Sequence, residues 1–265
     1  MIPLMTFDFS ETIFSHAVIP MNQFSSQLEA IEIHNIDRIL HHPVLSCIRG
    51  HCCSNFDFFY DLLLQRRFVS HAITNLYDLA IDSKINQECK TILRRILREE
   101  YPDYSGNYPS HREDLVADLE KLGISLNTIL NSRATEVTKL SIQAMLDQLL
   151  DYSASYSQIK VIAFTRFIGE VLVAEEYKAF WPRISFILGD AAKKKSRFFW
   201  SHIRHDQRNS FVDSVTRSST HASHLGISLV KCIQSENHVS LFKEAENAAV
   251  AIKLSFYDQF LNRLP

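Results

Sequence analysis

The chain is poor in the residues that bend a backbone: 6 glycines and 7 prolines in 265 residues. That scarcity argues against the many tight turns of a β-sandwich and against the glycine-rich crossings of a dinucleotide-binding fold. No GxGxxG, phosphate-binding loop or GxSxG sequence occurs, which removes the usual nucleotide and nucleophilic-serine signatures. The five cysteines, Cys47, Cys52, Cys53, Cys89 and Cys232, show no CxxC or CxxxC spacing, so a zinc knuckle is not expected. An odd count without a leading signal sequence reads as reduced thiols in the cytoplasm. No run approaches the ~20 apolar residues of a membrane span. A net charge of -2 offers no basic stripe, so neither membrane nor nucleic acid is an expected partner.

What is present is helical periodicity in an ordinary globular composition, 46% hydrophobic and 22% charged. Residues 1–22 read as an irregular, aromatic N-terminal arm, and 23–265 as one all-α domain. Apolar spacing predicts helices over 23–33, 35–48, 55–83, 85–100, 111–123, 127–154, 157–187, 190–216, 220–234 and 237–262. Pro182 is expected to kink or end the seventh early. Ser110-His111-Arg112-Glu113 has the form of a capping box, and Gly123 stands where a helix stop is expected. Long helices with short links favour a bundle.

The stretch Phe198-Phe199-Trp200-Ser201-His202 to Asn209 carries the most chemistry. On one helix, His202, Asp206 and Asn209 would fall within roughly 60° of one another. Imidazole, carboxylate and amide beside large rings point to a site inside the bundle. Three other features could turn toward it: Glu99-Glu100 at a helix end, His111 at a helix start, and Glu175 in an apolar segment. Carboxylates and imidazoles together suit iron or manganese. Each also has a plainer reading, as a surface ion pair, a helix cap or a wet helix face. His41-His42 before Pro43 is read as structural or solvated.

In order and spacing these pieces resemble the heme-oxygenase-like superfamily, in the CADD-like and TenA-related branch that includes heme-oxygenase-like diiron oxidases. His42-Pro43-Val44-Leu45 precedes a long helix bearing Gln65. Then come Glu100, a turn over 101–110, His111 and Leu122-Gly123. Gly169 to Glu175 gives a Gly-x5-Glu element, with Glu170 and Glu176 as alternatives. His202 and Asp206 match the His-x3-Asp-x2-His element, and Asn209 stands where its last histidine would be.

The resemblance implies a single heme-oxygenase-like bundle, a homodimer, and a metal set of Glu100, His111, Glu175, His202 and Asp206, with Asn209 at the last position. Glu99 and Glu100 remain alternatives, and His205 could substitute for His202. The cofactor would be iron, one or two ions, and the activity oxidation of a small organic substrate by dioxygen. One group in the branch oxidises its own tyrosine; Tyr60, Tyr77, Tyr101, Tyr104 and Tyr108 are the candidates here. Asn209 motivates an alternative, a metal-free ligand-binding or protein-interaction module on the same scaffold. Hydrolysis by a cysteine nucleophile is disfavoured, because no cysteine sits in an acid and imidazole setting.

Overall fold

A computed structural model describes residues 22–50, 56–102, 109–212 and 220–264. The arm expected over 1–22 lies outside them except for Asn22, as do Tyr104, Tyr108, Cys52 and Cys53. Among the described residues the chain is all-α, with no strand and no helix long and apolar enough to cross a membrane.

The helices are α1 (Ser25–Leu40), α2 (Pro43–Arg49), α3 (Phe56–Asp82), α4 (Gln87–Glu99), α5 (His111–Lys121), α6 (Leu126–Asn131), α7 (Glu136–Ala154), α8 (Gln158–Arg166), α9 (Leu172–Leu188), α10 (Ala192–Lys195), α11 (Phe199–His205), α12 (His221–Cys232) and α13 (Glu236–Asp258). A π-helical turn, Phe167–Val171, joins α8 to α9. Every residue from Val161 to Ala174 is buried, the mark of a helix at the centre of a bundle rather than on its surface. Around it pack α1, α7, α12 and α13, while α3, α4 and α11 close the side that holds the site.

Several local expectations hold. Ser110 and Glu113 form the reciprocal capping box, and Gly123 ends α5 at φ +96. His42 caps α2 with Pro43 at its first position, and its Nε2 donates to Asp258 at 3.1 Å.

Others are corrected. The helix expected over 127–154 breaks at 132–135, because Gln65 of α3 takes both backbone groups of the break: its Nε2 donates to the Arg133 carbonyl and its Oε1 accepts from Thr135 N, each at 3.0 Å. Pro182 does not end α9, which runs on to Leu188. The helix expected over 190–216 is two short pieces, and the chain leaves helix after His205. Cys89 and Cys232 are free thiols, but Cys47 is disulfide-bonded, against the expectation of reduced thiols throughout.

Candidate metal centre

Asp118 on α5 sets the geometry. Its carboxylate accepts from Ser196 Oγ at 2.7 Å, Arg197 N at 3.0 Å and Phe198 N at 2.9 Å. One buried acid thus supplies the N-terminal partners that α11 needs and fastens the helix of His111 to the helix of His202. Glu100 follows the last turn of α4, and His111 is the first residue of α5. Glu100 Oε1 lies 3.1 Å from His111 Nδ1, and the His111 and His202 rings are 4.7 Å apart between centroids.

Glu100, His111 and His202 make one triad of donor atoms, and Glu170, Asp206 and His221 make another. Within each triad the donors lie within 4.8 Å of one another. All six residues line one cavity of about 30 Å³, enough for two or three water-sized occupants. The second triad is fully buried, whereas His111 at the edge of the first is 30% exposed.

Of the residues expected from sequence, the structure brings together Glu100, His111, His202 and Asp206, with Glu170, named as an alternative to Glu175. Glu100 and not Glu99 faces the cavity. Glu175 is corrected: its carboxylate accepts from Lys178 Nζ at 2.7 Å and lies away from the cavity. The physical reason is the π turn. It adds a residue to one helical turn, which rotates Glu170 inward and leaves Glu175 on another face. Gly169 makes this possible: a Cβ there would meet Tyr77 Oη at 2.7 Å. Without it, the Tyr77 hydroxyl reaches the Gly169 carbonyl at 3.3 Å and donates to Glu170 Oε1.

Asn209 is corrected too. Since α11 ends at His205, Asn209 is not on the helical face shared by His202 and Asp206. Its amide donates to Ser223 Oγ on α12, and Thr220 Oγ1 donates to the Gln207 carbonyl at 2.7 Å. These bonds dock α12, whose first residue, His221, takes the place beside Asp206. Sequence reasoning missed His221, although a signal existed: Thr220-His221 repeats the local device of Ser110-His111, a hydroxyl cap followed by histidine at the first helical position. His205 is exposed, outside both triads.

The electrostatics are those of donors crowded without a cation. Burial, then the Glu170 carboxylate, pushes the Asp206 carboxyl well above its usual range. Burial opposes charge on His221, but its bonds to Glu170 and Glu99 outweigh that and raise it to about 10. His111 is also raised, burial being overcome by Glu100. His202 is driven well below its ordinary value, first by burial and then by His111. It is therefore neutral. Its Nδ1 lies 2.8 Å from the Phe198 carbonyl, which can only accept, so Nδ1 carries the proton and Nε2 is the free donor atom.

Cysteine chemistry finds no support among the described residues: burial pushes the Cys89 thiol up to about 12 and also raises Cys232, the reverse of nucleophile activation.

A scan against family models finds no match for this chain, and neither does a search of curated proteins. Its architecture is the heme-oxygenase-like fold, which solved structures of TenA homologues and CADD-like proteins share. Solved structures similar to it include a TenA homologue from Pseudomonas syringae pv. tomato and a CADD-like protein of unknown function from Nostoc punctiforme. Each is 14% identical with a TM-score of 0.64, covering 91% of this chain and 94% of that one. A domain of unknown function with a heme oxygenase-like fold from Shewanella denitrificans is 13% identical, TM-score 0.64, over 90% and 92%. At these identities the likeness is one of fold.

Proposed function

We propose that this chain is a non-haem iron oxidase of the diiron type, acting on a small organic substrate with dioxygen. The observation that carries the reading is the pair of carboxylate and imidazole triads facing one cavity in the bundle core. Oxygen and imidazole donors without thiolate suit iron or manganese, and paired carboxylate-histidine sets inside helical bundles are the usual setting for two such ions.

The surroundings of the donors fit metal binding independently. A ligating imidazole commonly gives its other N–H to a carboxylate or carbonyl, which fixes its tautomer. His202 gives Nδ1–H to Phe198. His221 has Glu99 Oε1 at 3.3 Å from Nε2 and Glu170 Oε2 at 3.6 Å from Nδ1, so one nitrogen faces the triad and the other an outer acid.

Bound iron would supply the electrons that activate dioxygen toward the substrate. The chain's own residues do the rest. Glu170 is oriented by the Tyr77 hydroxyl, and His221 by Glu99. Phe198, Tyr177, Ile73, Ile96 and Val173 wall the cavity with apolar surface and limit water.

Anaerobic loading with ferrous iron followed by metal analysis tests the proposal. Two ions per chain are expected, one for each triad, and Asp206→Ala or His221→Ala should abolish binding at the buried one. A wild-type chain that retains no iron, or variants that retain as much as wild type, would sink it.

A further inference from the structure

The net charge of -2 conceals a local excess of the opposite sign. Between Gly189 and Trp200 the chain carries Lys193, Lys194, Lys195 and Arg197 against Asp190 alone. Two of these cations are engaged: Lys195 Nζ donates to the Leu188 carbonyl at 2.6 Å, and Arg197 pairs with Asp114 at 3.1 Å. Lys193 and Lys194 are exposed, and no carboxylate among the described residues pairs with them.

These lysines stand beside an apolar face. Along α9 the partly or fully exposed residues include Glu175, Lys178, Trp181, Pro182, Ser185 and Phe186, whose spacings of three and four place them on one outward stripe. The two charges of the stripe cancel, Lys178 Nζ donating to Glu175 at 2.7 Å. Phe186 is 72% exposed, more than any other large apolar side chain among the described residues. Half-buried Trp181 lies against Trp200 of α11, their ring centres 4.9 Å apart, and Lys193 Nζ stands over the Trp200 ring, 4.5 Å from its centre.

The chemistry of this surface selects its occupant. Nucleic acid would stack bases on the tryptophans, but Trp200 is covered by Lys193 and abuts Trp181. A second copy in a two-fold contact would set the patch against itself and bring Lys193 and Lys194 toward their own like charges. Protein interfaces favour arginine and are depleted in lysine, whereas both unpaired cations here are lysines. A lipid surface asks for this set: lysines for anionic head groups, tryptophans level with those groups, and an exposed phenylalanine for the acyl boundary.

We propose that α10 and the outward stripe of α9 rest on an anionic lipid surface, with Lys193 and Lys194 meeting the head groups and Phe186 entering the acyl boundary. The contact is peripheral, since no helix among the described residues is long and apolar enough to cross a membrane. It stands apart from the metal reading, and neither depends on the other.

Trp181 and Trp200 are the two tryptophans of the chain, so intrinsic tryptophan fluorescence reports on this face. The full chain is mixed with vesicles of phosphatidylcholine and phosphatidylserine in equal parts, or of phosphatidylcholine alone. On the mixed vesicles the protein should co-sediment and its emission should shift to the blue. Binding should be about tenfold weaker on phosphatidylcholine alone and should fall as salt is raised. A lysine near such a surface contributes about fivefold, so Lys193→Glu combined with Lys194→Glu should weaken binding by more than about tenfold. Phe186→Ser should weaken it by about fivefold. Brominated acyl chains should quench the wild-type emission, a readout that needs no substitution. Absence of binding to the mixed vesicles, equal binding to phosphatidylcholine alone, binding that leaves the emission unchanged, or variants that bind as wild type does would overturn the proposal. A blue shift reproduced by polyglutamate would overturn it in favour of an acidic protein, and one produced by protein concentration alone in favour of a second copy.

Discussion

The interior holds clustered carboxylates in two places, and their charge is offset by different means. In the first, Arg166 of α8 reaches Glu32 through both terminal nitrogens, and Arg208 donates to Glu32 at 3.2 Å and to Glu29 at 2.7 Å. Glu246 lies against Glu32 fully buried, its carboxyl pushed well above the usual range first by burial and then by the Glu32 charge. Arginines, which do not lose their protons, brace this cluster. In the second, the proposed metal centre, the His111 and His221 imidazoles are raised toward protonation and the Asp206 carboxyl toward neutrality. Protons can be displaced by an incoming cation, whereas a guanidinium cannot. The first cluster is neutralised from within the chain, whereas the second, on the proposed reading, gives up its protons to bound ions.

The braced cluster also serves the exchangeable one. Arg166 Nε donates to the Ala222 carbonyl at 2.8 Å, next to His221, and Glu29 accepts from Phe211 N at 2.6 Å. Both ends of the path from Asp206 to His221 are thus fixed to α1 and α8. The largest expected effect follows. Arg166→Met leaves Glu32 buried without its main partner and should cost about 3–5 kcal/mol of stability, measured by chemical denaturation. Ferrous iron should not restore that loss. A cost below about 1 kcal/mol, against the range for a broken buried pair, would show that the two clusters do not differ in the way described.

A smaller effect is expected at the edge of the proposed metal centre. Glu99→Ala removes the acid that faces His221 Nε2 and leaves both triads in place. Removing an outer partner of a ligating histidine typically weakens metal binding about 10–100-fold. Competition with a chelator should show that loss while the melting temperature of the metal-free protein barely moves. Unchanged affinity would mean that His221 is not a ligand.

How much of this was legible follows from what each feature depends on. The all-α bundle, the cap at Ser110 and the stop at Gly123 are set by local periodicity and backbone chemistry, so they can be read from neighbouring residues. Glu100, His111, His202 and Asp206 stand at helix ends or one turn apart, where ordinary helical geometry brings them inward. Glu170 stood only as an alternative to Glu175: the choice between them turns on the π turn over 167–171, beside which Tyr77 meets Gly169 from 92 residues away. His221 required knowing that the chain leaves helix after His205 and that α12 starts beside Asp206, neither of which neighbouring residues reveal. The buried cluster of Arg66, Glu176 and Lys253 was invisible because its members meet only after three helices pack.

The smallest expected effect concerns a proton rather than a contact. Because the carboxyl of Glu246 is raised in the folded chain, folding favours its protonated form. That preference stabilises the fold fully below the ordinary carboxylate range, near 4.5 in the unfolded chain, and is lost as pH rises through the elevated folded value. Glu246→Gln keeps an oxygen to accept from Asn35 Nδ2, which now lies 3.2 Å from Glu246 Oε2, and cannot ionise. The variant should match wild type near pH 5 and exceed it increasingly toward pH 9, by roughly 1 kcal/mol for each unit of pH difference crossed below the folded value. Denaturation midpoints across that range measure it. Parallel curves for the two proteins would mean that Glu246 is ionised in the fold, with Arg166 and Arg208 neutralising more charge than the geometry indicates. The braced cluster would then carry no displaceable proton at all, and its contrast with the metal centre would be sharper still.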